Sequence, residues 1–148
     1  MSCWGVSIFQ DRDAMDLLEE ILNGGKMVDD IRSAFSIVID DYQEYTEYEM
    51  CCEAVLGAEL VAASMGNISK HFPGQEYFEG EYTEGVKINH PDWDELSDFS
   101  NKDLRLLAIE AIKTILTSDH CEYLEFWNES EHYDEWVAEI NDLLERLQ

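Results

Sequence analysis

The stretch TEYEMCCEAVLGAELVAASMGN, residues 46–67, decides the fold class. It opens on Thr46-Glu47-Tyr48-Glu49, where a hydroxyl residue followed three positions later by Glu is the pattern that satisfies the first amide groups of a helix. It closes on Met65-Gly66-Asn67, a stop signal, because Gly enters the left-handed conformation without a Cβ penalty. Between these ends Cys51, Ala54, Val55, Ala58, Val61, Ala62 and Met65 recur at the spacing of one helix face. Most are small, and small side chains let a second helix come close. A long helix with such a stripe predicts helix-on-helix packing and an all-α protein.

The same period extends outward in both directions. Residues 11–23 predict a first helix with Ala14, Leu17, Leu18, Ile21 and Leu22 as its stripe, Asp11 or Asp13 as its cap and Asn23-Gly24-Gly25 as its stop. Residues 27–40 predict a second, with Val28, Ile31, Phe35, Val38 and Ile39 facing inward. The run from Phe35 to Ile39 also reads as a strand, but the helical pattern starts before it. Another box-like start, Ser100-Asn101-Lys102-Asp103, opens a helix to about Thr117. Its Leu104, Leu106, Leu107, Ala108, Ile109, Ile112, Ile115 and Leu116 leave little polar surface, so it is expected to be the central, most buried helix. A short helix is expected over 120–127. A last one follows over Glu131–Leu147, with Tyr133, Trp136, Val137, Ile140, Leu143, Leu144 and Leu147 inside. The segment 67–99 differs: it holds both prolines and three glycines and has poor periodicity. A long irregular loop is expected there, in which Tyr77–Ile88 could form a small hairpin. The expectation is a compact single-domain bundle over residues 1–148, of about five to six helices.

With 148 residues and 45% hydrophobic composition, the chain can bury one real core. Its charge is extreme: 34 Asp and Glu against 9 Lys and Arg, a formal net charge of -25. Such a polyanion is repelled by bare nucleic acid and by anionic membrane. It associates fast, and salt-sensitively, with a cationic partner. Plain solubility and a high-salt proteome are the bland readings; the second fits less well, since Glu exceeds Asp and large aromatics and four cysteines are retained. The opening Met1-Ser2-Cys3-Trp4-Gly5 has no basic or apolar signal region, and no apolar run reaches membrane-spanning length, so a cytoplasmic location is expected. Cys3, Cys51, Cys52 and Cys121 are then free thiols by default. Cys51 and Cys52, being adjacent on a helix, point in different directions and make a poor disulfide or metal pair.

Catalytic signatures are missing. The sequence has no G-x-S-x-G, phosphate-binding loop or G-x-G-x-x-G. His71, His90, His120 and His132 do not form a metal-ligand spacing, and His120-Cys121 with His132 is looser than structural zinc sites. The acidic group Asp40, Asp41 and Glu44 lacks the central Gly of a calcium loop. Cys121 beside His120 could be a thiolate pair, but sequence adjacency rarely gives that geometry and acidic surroundings raise a thiol pKa. No cofactor, no metal and no enzymatic activity are expected.

Acidic surface with interleaved aromatics is what remains. Between Asp119 and Glu145 there are ten acids and no Lys or Arg. Glu122, Glu125 and Glu129 share a face if the short helix continues, while Glu131, Asp134, Glu135, Asp142 and Glu145 lie on the outer side of the last helix. A second cluster places Asp92, Asp94, Glu95 and Asp98 around Trp93. A third, Asp40, Asp41, Glu44, Glu47 and Glu49, has Tyr42, Tyr45 and Tyr48 between the acids. Tyrosine beside carboxylate suits an interface with a basic protein, where rigid rings pack and charges steer. Partner-binding candidates are therefore Glu122, Glu125, Glu129, Glu131, Asp134, Glu135, Asp92, Asp94, Glu95, Asp98, Tyr42 and Tyr45. Trp127 and Trp136 are read as core.

The opening Trp4-Gly5-x-x-x-Phe9-x-x-x-Asp13-Ala14-x-Asp16 resembles the start of a bacterial family catalogued as domain of unknown function forty-two fifty-nine. Ala58-Glu59-Leu60-Val61-Ala62-Ala63-Ser64-Met65-Gly66 is similar to that family's A-E-V-V-A-A-A-x-G helix, and the helix from Leu104 to Leu116 and the Trp136 helix fit its C-terminal half. The likeness covers most of the chain apart from 68–99, and departs at Ser7, where the family tends to have Gly, and at Gln10, where it tends to have an acid. It implies a helical fold and no established activity. Trp4 and Phe9 are expected to plug the core, and Gly5 to allow a tight turn. Glu59 is either a buried, hydrogen-bonded structural acid, the favoured reading, or a functional one.

The function expected from these features is that of an immunity protein that neutralises a basic toxin domain, a nuclease for preference, through its acidic surface. The alternatives are a regulatory or housekeeping interaction protein with no toxin, and, less favoured, a carboxylate-based metal hydrolase.

Overall fold

The computed structural model describes residues 7–22, 28–40, 47–71, 102–117 and 121–148. These form a short 3-10 turn, Ile8–Gln10, and six α-helices: α1 Arg12–Leu22, α2 Val28–Asp40, α3 Tyr48–Ser64, α4 Lys102–Thr117, α5 Glu122–Asn128 and α6 Tyr133–Leu147. No strand occurs among the described residues, so the all-α bundle expected from the periodicity is what the chain forms. The run from Phe35 to Ile39 is helical. The hairpin expected over Tyr77–Ile88, most of the 67–99 loop, and Trp4 and Gly5 lie outside the described residues, as do the side chains of Ile21 and Leu22.

The central helix is α3, and not α4 as its apolar content suggested. Thirteen of the 17 residues of α3 are buried, and it packs against each of the other five helices and the 3-10 turn. Its small residues have no face that must meet water, so neighbours close on it from every side. At Gly57 the approach is tightest: a Cβ there would lie 2.5 Å from Ile31 Cγ2 on α2 and 3.3 Å from Phe35 Cζ. By contrast α4 buries Leu104, Ala108, Ala111, Ile112 and Ile115 but leaves Leu106 49% exposed. Lys102, Asp103, Glu110 and Lys113 turn that side of α4 to water.

Both ends of α3 are set locally. Glu47, not Thr46, is its N-cap, and no side chain closes that cap. At the other end Gly66, with φ +90°, donates to Ala63 O at 2.9 Å and Asn67 donates to Ala62 O at 2.9 Å. This is a Schellman motif, and Gly66 supplies the left-handed residue it needs.

The C-terminal half closes the core with aromatics. Trp136 and Tyr123 are fully buried, and the rings of Trp127 and Trp136 stack at 6.1 Å. Tyr123 meets Tyr48, Trp127 and Trp136 edge-on. The expected core roles of Phe9, Trp127 and Trp136 are observed. Tyr48 is likewise buried, although it was grouped with the interface tyrosines. Its ring is needed between α3 and α5, where it also packs on Phe126. No helix of the described residues is long and apolar enough to cross a membrane.

Candidate functional site

Two acidic side chains are spent inside the fold. Asp11 caps α1: its Oδ1 accepts from Asp13 N at 2.9 Å and Ala14 N at 3.3 Å. Its Oδ2 accepts a short hydrogen bond from the Tyr48 hydroxyl and faces the Cys52 thiol at 3.8 Å. Of the two caps the sequence offered, Asp11 is used. The carboxylate thereby ties the start of α1 to the start of α3. Burial, then the neighbouring Cys52 and Asp11, push the Tyr48 hydroxyl pKa far up, so it remains a donor.

Glu59 is the second. It is buried on α3, and Arg146 of α6 grips it with a two-pronged pair, Nη1 to Oε2 at 2.7 Å and Nη2 to Oε1 at 3.0 Å. Arg146 Nε also donates to Asp142 at 2.8 Å. Asn67 Nδ2, just past α3, donates to Arg146 O at 2.9 Å. Burial raises the Glu59 pKa, with Arg146 opposing the rise. Burial acts to lower that of Arg146, but Glu59 and Asp142 hold it above its ordinary value. With both oxygens engaged by one guanidinium, Glu59 is a structural acid that bolts α6 to α3. His71 and Glu139, 3.2 Å apart, add a half-exposed contact beside it.

Among the described residues the other carboxylates are at least partly exposed, and five of them line one cleft. Asp13, Asp16 and Glu20 of α1 and Glu49 and Glu53 of α3 line a cleft of about 340 Å³ whose floor is Leu17 and Cys52. No lysine or arginine is among these lining residues. The local reason is register: on α1 the acids recur at i, i+3 and i+7, and on α3 at i and i+4, so each set occupies one helix face. The α1–α3 contact, fixed by the Asp11–Tyr48 bond, turns the two faces toward each other. Five anionic groups around an open, partly apolar hollow favour a cationic head on an aliphatic stem. They line a wall rather than converge: no three His, Cys, Asp or Glu side chains among the described residues are grouped so as to hold a metal ion.

Of the twelve partner-binding candidates, none of the six that are described lines this cleft, although Glu49 belongs to the third acidic cluster read from the sequence. Glu122 is half-buried and Glu125 exposed on α5. Glu129 is the α5 C-cap, its backbone N–H donating to Glu125 O at 3.1 Å, so the helical turn runs up to it and no further. Glu131 is exposed in the turn before α6, and Asp134 and Glu135 are exposed in its first turn. These six are all at least partly exposed, on α5, in the turn after it and in the first turn of α6. Asp92, Asp94, Glu95, Asp98, Tyr42 and Tyr45 lie outside the described residues. Acid-rich stretches do not reveal the cleft: the shared face of Asp13, Asp16 and Glu20 is readable from helical spacing, but their meeting with Glu49 and Glu53 depends on tertiary packing.

One further grouping joins α3 to α5. Cys51 Sγ and Cys121 Sγ lie 3.1 Å apart in the core, both as free thiols. The hydrogen bond to Cys121, with burial, pushes the Cys51 thiol pKa up. Accepting that bond, helped by the backbone amides of Leu124 and Tyr123, pulls Cys121 down. Burial and nearby Asp11 raise Cys52.

Comparison with known proteins adds a family. The model of a domain of unknown function, DUF4259, matches residues 2–139. No curated protein and no solved structure matches the chain.

Proposed function

The chain belongs to the DUF4259 family, and from that premise we propose that it is an immunity-type binding protein, which docks onto a basic toxin domain in the cytoplasm and neutralises it. The observation that carries this reading is the α1–α3 cleft, with five carboxylates and no cation in its lining. A lysine or arginine of a partner entering it would bring its charge against several carboxylates at once. Each such contact with an exposed carboxylate is worth up to about 1 kcal/mol, so the cleft works by summing several of them. Leu17 would cover the methylene stem. The surface of Glu122, Glu125, Glu129, Glu131, Asp134 and Glu135 extends the negative field and speeds encounter.

A nuclease is the preferred partner class because its substrate channel must be cationic to hold phosphates. A rigid scaffold bearing carboxylates can occupy that channel in place of the nucleic acid. The test begins with co-expression of the chain with a basic toxin-like domain encoded beside it, followed by stopped-flow association at several salt concentrations. Association should slow steeply with salt. Asp16→Lys with Glu20→Lys should weaken the complex, and reversing Glu122, Glu125 and Asp134 should mainly slow the on-rate. Association that ignores both salt and these reversals would sink the acidic-surface reading.

A further inference from the structure

We propose that Cys51 and Cys121 are a reversible, peroxide-oxidisable disulfide site that staples the start of α3 to the start of α5. Their 3.1 Å separation is tighter than two unbonded sulfurs normally rest, and about 1 Å longer than a disulfide bond. The two residues stand 70 positions apart in sequence, so the approach is made by the tertiary fold and not by local chain geometry. The vicinal neighbour does not compete: Cys52 Sγ turns to Asp11, at 3.8 Å. The adjacent cysteines thus divide, one toward each neighbouring element. Tyr48 packs edge-on against Tyr123 with ring centroids 5.0 Å apart, which holds the two helix starts in this register.

The pair is also chemically unequal, since Cys121 is the more acidic thiol and the more ready nucleophile. The Cys121 thiolate attacks a hydroperoxide: an S–O bond forms, the O–O bond breaks, and the leaving oxygen departs as water after taking a proton. Cys51 sulfur then attacks the sulfenic sulfur of Cys121: the S–S bond forms, the S–O bond breaks, and a second water leaves with the Cys51 proton. Two thiols lose two electrons, and hydrogen peroxide is reduced to two waters. Burial, at 0% and 2% exposure, selects a small oxidant over bulky disulfides. A dithiol reductant reverses the bond once the chain opens locally.

The test uses the reduced full-length chain treated with hydrogen peroxide, then denatured, alkylated and peptide-mapped. Titratable thiols should fall from four to two, with a Cys51–Cys121 linked peptide and Cys52 still alkylated. The melting temperature should rise by roughly 10 °C, because the link closes a long loop. Cys51→Ala and Cys121→Ala should each abolish the link, while Cys52→Ala, which leaves both partners in place, should retain it. Four persistent thiols, a link through Cys3 or Cys52, or sulfinic acid at Cys121 without a link would each overturn the proposal.

Discussion

Replacing Arg146 with Met should be among the most damaging single changes in this protein, and the reason can be worked from the pair it breaks. Glu59 and Arg146 side chains are 6% and 14% exposed, so removing the guanidinium leaves a carboxylate in the core with no counter-charge. Breaking a buried pair from one side costs about 3–5 kcal/mol. For a chain of this length that lowers the melting temperature by roughly 10–15 °C. Asp142 supplies the internal control: its side chain is 57% exposed, so Asp142→Ala should cost no more than about 1 kcal/mol. The double variant Glu59→Leu with Arg146→Met should recover most of the loss, since apolar groups of similar volume commonly replace a buried pair at little cost. The loss also depends on pH. Burial already raises the Glu59 pKa, and without Arg146 it rises further. A raised carboxyl pKa means that the folded state keeps a proton the unfolded chain gives up. Stability is then fullest below the ordinary carboxylate value and falls as pH rises through the raised one. The Arg146→Met penalty should therefore be larger at neutral pH than in acid. Denaturant melts of the four chains of this cycle at two pH values measure both effects. Additive single losses, each under about 1 kcal/mol, would refute the buried-pair argument.

Three further outcomes are expected. Gly57→Ala should destabilise by about 1–2 kcal/mol despite the better helix propensity of Ala, because the new Cβ strikes the stiff Cγ2 of Ile31. Ile31→Leu, which has no Cγ2, should partly rescue it in thermal melts, and lack of any coupling would remove the close-approach explanation. Tyr48→Phe keeps the ring packing and deletes the donor to Asp11; a loss of about 1.5–3 kcal/mol in denaturant melts is expected, and a neutral result would mean the bond contributes little. Neutralising the cleft with Asp16→Asn and Glu20→Gln should raise the melting temperature at low salt by relieving like-charge repulsion, with the gain shrinking as salt is added. A gain independent of salt would point to a cause other than charge.

Much of the fold was legible because helical periodicity survives without knowledge of neighbours. The stripes of α1, α2, α3 and α6 and the stop at Gly66 all follow from residues within one or two turns. Which helix lies at the centre was not legible. Apolar content favoured α4, but burial on all sides depends on how closely neighbours can approach, and that is governed by the smallness of Gly57, Ala54, Ala58 and Ala62. The caps show the same division. Asp11 could be nominated from its place before α1, whereas its bond to Tyr48, 37 positions away, exists only through the α1–α3 contact. The Cys51–Cys121 approach was hidden for the same reason.

The site is where sequence runs out soonest, since 34 acids look alike in a string. The fold separates them by their partners. Asp11 is buried with four groups, two from α1 and two from α3, directed at it, and Glu59 is buried with a guanidinium. Those two acids hold helices together. Asp13 follows Asp11 by only two residues, yet it faces the cleft with Asp16, Glu20, Glu49 and Glu53. Packing these like charges side by side opposes folding, so the core does not account for their placement. Repulsion of this kind is relieved when a cation enters, which makes the cleft a stronger candidate for binding than any acid-rich stretch judged by count alone. The low-salt stability gain from Asp16→Asn and Glu20→Gln and the loss of binding from Asp16→Lys and Glu20→Lys are then two readings of the same electrostatic quantity. If the first occurred without the second, the repulsion would be real but the cleft would not be the docking surface.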